Sequence, residues 1–181
     1  MKYSQTFSTK NGREILLRSG TASDGEAVLE NFLQTHWETD YLLTYPDENR
    51  MDAEQEGQFL ARKEASPNEL ELVAFADGRV LGTAGIDAVG RCCKVAHRAE
   101  FGISLLREAW GLGIGRAMTE ACIRCAREAG YTQLELTVVA DNERAVALYE
   151  KAGFVEYGRN PRGFRSRTAG FQELVFMRLE L

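Results

Sequence analysis

The sequence predicts an α/β fold: one domain over residues 1–181, with a mixed, mostly antiparallel twisted sheet of about seven strands and about four helices. Three observations predict it. Short apolar runs and amphipathic stripes alternate along the chain, with no repeat, low-complexity tract or Pro/Ser linker to mark a boundary. An Asp77-Gly78 dipeptide between two apolar runs signals a hairpin. Residues 99–139 read as strand, glycine-rich turn, long helix and strand, a central βαβ unit whose crossover should be right-handed. At 181 residues and 44% hydrophobic, the chain has enough apolar material for a core.

The elements follow in order. Residues 1–13 are polar and read as frayed or as a short strand. Ile15 to Arg18 is a first strand, and Ser23 with Glu26 has capping-box spacing ahead of a helix from about Asp24 to His36. A second helix runs from about Met51 to Glu64 and stops near Pro67. Strands are expected at Glu69–Phe75, Val80–Val89 and Ala99–Leu106. The segment Gly111-Leu112-Gly113-Ile114-Gly115 then opens a helix to about Ala129, with Gly130 as its C-cap. A strand at 132–139, a short helix from Asp141-Asn142 to near Gly153, and strands at Phe154–Gly158 and Phe171–Leu181 complete the order.

Composition excludes several classes. A net charge of −5 and a pI near 5.2 count against a nucleic-acid binder and against tight binding to anionic membranes. The polar start Met1-Lys2-Tyr3-Ser4-Gln5-Thr6 has no apolar signal core, so the expected location is cytoplasmic. A split zinc site is disfavoured because Cys92 and Cys93 are adjacent. Cys122 and Cys125 continue the helical stripe of Ile114, Ala117, Met118 and Ala121, as buried reduced thiols do. Two histidines, His36 and His97, are too few to complete a metal site, so no metal is expected.

A strand that enters Gly-x-Gly-x-Gly and then a helix can hold an anion. Its glycines admit close backbone approach, and the helix start presents free N–H groups and a positive dipole end. The rival reading is a purely structural loop. Two familiar nucleotide motifs fail. A P-loop requires Lys-Ser/Thr after its last glycine, where this chain has Arg116-Ala117. A dinucleotide fingerprint requires glycine where Arg116 or Met118 stands.

The segment Ala99-Glu100-Phe101-Gly102-Ile103-Ser104-Leu105, followed by Trp110-Gly111-Leu112-Gly113-Ile114-Gly115, resembles the acetyl-CoA motif of the GCN5-related N-acetyltransferases (GNAT). A downstream companion is present as Ala140-Asp141-Asn142-Glu143-Arg144-Ala145 with Leu148-Tyr149-Glu150-Lys151-Ala152-Gly153-Phe154. The element order from Ile15 to Leu181 also resembles that family, with general similarity to its ribosomal-protein and polyamine acetyltransferase branch. The resemblance implies an enzyme that moves the acetyl group of acetyl-CoA to a primary amine by direct attack in a ternary complex. The acceptor would be a cationic small amine, a polyamine or a protein N-terminus.

It also implies roles. Ile103, Ser104 and Leu105 would pair with the amide arms of pantetheine, while Gly111, Leu112, Gly113, Ile114, Gly115 and Arg116 would surround the pyrophosphate. Trp110 stands where the family usually has Gln or Arg. Asn142 either caps its helix or touches the cofactor. Tyr149 would donate a proton to the leaving thiolate, or else be a core tyrosine. Glu100 is the expected base for the acceptor ammonium, with water, backbone or His97 as rivals. Within residues 38–56, Glu38, Asp40, Asp47, Glu48, Asp52, Glu54 and Glu56 are interleaved with Tyr41 and Tyr45, just after Trp37. This pattern suits a cationic acceptor, and a solvated helix face is the bland alternative. A non-catalytic acyl-CoA sensor is the rival function, and a nucleotide-binding regulatory domain a weaker one. The oligomeric state is open, with a homodimer among the options.

Overall fold

A computed structural model describes residues 1–181. Eight strands form one sheet: β1 (Ser4–Ser8), β2 (Glu14–Ser19), β3 (Leu70–Ala76), β4 (Arg79–Ala88), β5 (Arg98–Leu105), β6 (Gln133–Val139), β7 (Val155–Ser166) and β8 (Gly170–Glu180). Their spatial order is β1-β2-β3-β4-β5-β6-β8-β7. Every neighbouring pair is antiparallel except β5 and β6, which are parallel. Four helices accompany the sheet: α1 (Gly25–Glu38), α2 (Ala53–Ala65), α3 (Ile114–Glu128) and α4 (Glu143–Lys151). The eighth strand is β1, which pairs along β2 at the sheet edge.

The helices cover both faces. On one, the expected stripe of α3 is buried at Ile114, Met118, Ala121, Cys122 and Cys125 and packs into the main core with Leu70, Leu72, Ile86, Phe101 and Leu134. On the other, α1 and α2 contribute Val28 and Leu60 to a smaller cluster with Val73 and Val80. The two helices meet closely at Gly25 and Gly57, where a Cβ on Gly25 would lie 2.6 Å from the Gly57 nitrogen. The hairpin at Asp77-Gly78 has both residues in the left-handed region, φ 52° and 77°, as a two-residue type I′ turn requires.

Two details differ from the sequence reading. The capping box uses Thr21 and Asp24, not Ser23 and Glu26: Thr21 N–H and Oγ1–H both donate to Asp24 (2.8 and 2.7 Å), and a 3₁₀ turn precedes α1. Asp24 is recruited because Arg18 also donates two bonds to its carboxylate, both 2.7 Å. Strand β7 extends to Ser166, past the expected end at Gly158 and through Pro161 and Gly163; the ladder with β8 shifts register between Asn160 and Phe164. Proline is tolerated there because β7 is an edge strand with an irregularity. Cys122 and Cys125 are buried, as their place on the helical stripe predicts, while Cys92 and Cys93 are exposed between β4 and β5. No helix is long and apolar enough to cross a membrane, and no group of three or more His, Cys, Asp or Glu is placed to hold a metal ion.

Candidate active site at the strand splay

Strands β5 and β6 pair at only three positions, Arg98–Gln133, Ala99–Leu134 and Glu100–Glu135. Beyond these, β5 stays on β4 up to Leu105 and β6 stays on β8 up to Val139. Each strand is held on its outer edge, so the inner edges diverge and leave backbone N–H and C=O groups without a sheet partner. A cavity of about 490 Å³ opens at this divergence. Ile103, Ser104 and Leu105 line it from β5, and Asn142, Ala145, Leu148 and Tyr149 line it from α4 and its cap.

The glycine turn forms one wall. Gly111 and Gly113 adopt φ 78° and 87°, and a Cβ on either would meet open space, so backbone conformation demands glycine here. None of the six backbone N–H groups from Gly111 to Arg116 donates to a protein acceptor; the first helical bond is Ala117 N–H to Gly113 O, 3.0 Å. A run of free donors at the positive end of a 15-residue helix is a built anion site. Gly111, Gly113, Gly115 and Arg116 line the cavity. Leu112 and Ile114 turn their side chains into the core, Ile114 being fully buried, so only their amides can serve a ligand.

Trp110 does different work from the Gln or Arg expected in its place. Its indole N–H donates to Leu105 O at 2.9 Å, which fastens the turn to the end of β5. Arg144 and Arg107 lie over its ring, at 5.1 and 5.7 Å. Asn142 is a cap: its Oδ1 accepts from Ala145 N–H at 3.3 Å while the residue also borders the cavity. Arg116 is exposed and pairs with Glu120 at 2.7 Å.

Tyr149 reaches the cavity from α4 with its ring packed edge-on against Phe101 and Phe154. It is 8% exposed, and burial pushes its phenol well above the usual value, so it remains protonated. Glu100 lies outside the cavity, on an exposed position of β5 between Asp87 of β4 and Glu135 of β6.

A second cavity, about 860 Å³, adjoins the first and shares Thr39, Tyr41 and Trp110 with it. The segment after α1 forms one side, and Arg167, Thr168, Ala169 and Gln172 from the β7–β8 tip form the other. Glu38, Asp40 and Asp47 of the acidic run do border it. Asp47 pairs with Arg167 at 2.9 Å, and Glu38 accepts from Arg107 N–H at 2.6 Å. Asp40 accepts from the hydroxyls of Ser166 and Thr168, which hold its carboxyl below the usual range. Three of the remaining acids are committed elsewhere. Glu48 accepts from Tyr45 N–H (2.7 Å), Asp52 caps α2 through Gln55 N–H (2.8 Å), and Glu54 accepts from Gln58. The β7–β8 tip carried no motif by which sequence reasoning finds its part in this wall.

A model of the acetyltransferase (GNAT) family matches residues 30–154, well over half of the chain. The chain belongs to that family. It is an acetyl-CoA-dependent N-acetyltransferase. The GNAT acetyltransferase of Streptococcus pneumoniae superposes with a TM-score of 0.88 at 28% identity, over 92% of this chain and 99% of that one. The ribosomal-protein-alanine N-acetyltransferase of Brucella melitensis gives 0.78 at 26% identity, over 91% and 99%. Among sequences, the L-amino acid N-acetyltransferase AaaT of Escherichia coli K12 is 29% identical over 78% of this chain and 83% of its own length. A mycothiol acetyltransferase of Paenarthrobacter aurescens is 47% identical over only 55 residues, so the chain spans 17% of that protein's length.

Proposed function

We propose that this N-acetyltransferase acts on the α-amine of an amino acid or of a peptide N-terminus, by direct attack within a ternary complex. One observation carries the reading. The second cavity opens on the first and is lined by both signs of charge, Glu38, Asp40 and Asp47 against Arg107 and Arg167. A polycation is matched by carboxylates alone, whereas an α-amino acid brings an ammonium and a carboxylate a few bonds apart. Asp40, held ionised, suits the ammonium; a guanidinium suits the carboxylate. Trp37, Tyr41 and Tyr45 offer apolar surface to the side chain. The naming of AaaT as an L-amino acid acetyltransferase supports the same class.

In this reading the pyrophosphate of acetyl-CoA rests on the amides of Gly111 to Arg116, and pantetheine lies along Ile103 to Leu105. The thioester then reaches Tyr149. Amine attack expels a thiolate, and the neutral phenol donates its proton to that sulfur. The reduced thiols Cys122 and Cys125 suit a cytoplasmic enzyme. The test is thiol release from acetyl-CoA with L-leucine, L-leucinamide, a short peptide and spermidine. Higher kcat/KM for L-leucine or the peptide supports the reading, and a spermidine rate above both overturns it.

A further inference from the structure

Three positions lie in register across β3, β4 and β5: Glu71, Gly85 and Gly102. They share the face toward α1 and α2, because Val73, two residues from Glu71, packs with Val28 and Leu60. Glu71 reaches across its neighbour, and a Cβ at position 85 would collide with its Oε2. Gly102, next in the row, is exposed, and a Cβ there would meet nothing within 4 Å. The Glu71 carboxyl thus fills the space over Gly85, and the next position in the row, over Gly102, is open. Gly102 lies two residues beyond Glu100, the last residue of β5 paired to β6, so this open position lies where the splay begins. Adjacent strands are about 4.8 Å apart, which places a carboxylate lying over β4 about one water from β5.

The charged groups around Glu71 are Lys63 and Glu56 from α2, Asp87 from β4 and Glu100 from β5. Burial pushes its carboxyl up to about 7; Lys63 and the Thr83 hydroxyl limit the rise, and Asp87 and Glu56 add to it. Lys63 is itself buried and donates to Ile86 O (3.2 Å) and to Asp87. A carboxyl that titrates near neutrality is matched to proton exchange with an ammonium group. Glu100 is exposed on the same face and lacks that burial.

We propose that Glu71, and not Glu100, takes the proton from the acceptor's ammonium, through water held over Gly102. The proposal rests on the N-acetyltransferase reading of the splay. One N–H bond of the ammonium breaks and Glu71 becomes the neutral acid, which later loses that proton to solvent. The freed amine attacks the thioester carbon, the C–N bond forms and the C–S bond breaks. Tyr149 gives its proton to the thiolate and recovers one from the attacking nitrogen. The products are the amide, CoA thiol and one proton.

The test is a pH profile of kcat/KM for Glu71→Gln, Glu71→Asp, Glu100→Gln and the parent, with L-leucine, L-leucinamide and spermidine. The parent should lose activity as pH falls through about 7. Glu71→Gln should lose that limb, with turnover about 10²-fold lower at neutral pH and a deficit that shrinks as pH rises toward the acceptor's own pKa. Glu71→Asp should keep the limb at a reduced rate, and Glu100→Gln should keep the parent's midpoint. A Glu71→Gln profile parallel to the parent's, or a limb lost in Glu100→Gln instead, overturns the proposal. A ¹³C titration of Glu71 in the unaltered protein with CoA bound is independent of any variant's folding; an ordinary carboxyl pKa there also overturns it. Failure of the α-amine reading would show differently, as spermidine outrunning L-leucine and L-leucinamide with the same limb in all three.

Discussion

The two adjoining cavities are built from different materials. The cavity proposed for the cofactor offers mainly main chain: six free amides from Gly111 to Arg116 and the inner edges of two diverging strands. The cavity proposed for the acceptor is lined by side chains, and most of its charged ones already hold a protein partner, as in Asp47 with Arg167 and Glu38 with the Arg107 N–H. Backbone donors are fixed by the fold and tolerate exchange of side chains around them. Side-chain pairs must be opened or bridged by the ligand, so single substitutions can retune them. The first cavity is therefore constant in its chemistry and sensitive in sequence only at the glycines whose φ it requires, whereas the second is the half that single substitutions retune.

The harshest way to break the cofactor half is Gly113→Glu. It forces a non-glycine residue to φ 87° and sets a carboxylate beside the free amides, so CoA affinity should fall by about 100-fold or more, measured by calorimetry on the folded variant. Unchanged affinity would mean that the ligand lies elsewhere. Next in size, Tyr149→Phe should cut kcat about 10²-fold under conditions where chemistry limits the rate, while leaving CoA affinity nearly unchanged. Because burial holds the phenol protonated, this residue should contribute no alkaline limb in the ordinary working range.

On the acceptor side effects should be smaller. Arg167→Gln removes one half of an exposed pair, and the acceptor KM should rise roughly two- to fivefold with acetyl-CoA kinetics unaltered. An equal change in KM for acetyl-CoA would mean that the two cavities do not divide the ligands as described. The start of α1 gives a stability counterpart. Arg18, with Thr21, holds the Asp24 carboxyl down to about 2, so its contribution is fully present above the unfolded value of about 3.9 and is lost as pH falls toward 2. Calorimetry should show a parent Tm that declines through that window and an Asp24→Asn Tm that is lower at neutral pH and flatter across it. Smallest of all should be salt. The Debye length falls from about 30 Å at 0.01 M to about 8 Å at 0.15 M, yet turnover of L-leucine should barely move, because paired charges cast little long-range field.

This division also explains what could be read in the sequence. Glycines at 111 and 113 are demanded by φ, and Tyr149 sits at a fixed interval from a cap, so sequence spacing carries their placement. The apolar periodicities of β3, β4 and α3 likewise follow from burial, and the Asp77-Gly78 turn from φ at two residues. Arg167 meets Asp47 across 120 residues, and nothing local to either position encodes that meeting. Strand β7 past Gly158 was illegible because Pro161 and Gly163 are accommodated by a register shift that only its partner β8 reveals. Glu71 gave no signal because its burial depends on a glycine fourteen residues away.

The protein's two tryptophans stand at opposite ends of this arrangement, which gives the molecule an optical property of its own. Trp37 is 83% exposed at the rim of the acceptor cavity, and Trp110 is wedged at the junction with its indole N–H tied to Leu105 O. Their emission should therefore differ in colour, red-shifted for the wet ring and blue-shifted for the tethered one. Cofactor and acceptor binding can then be followed separately, in one cuvette, with no dye attached.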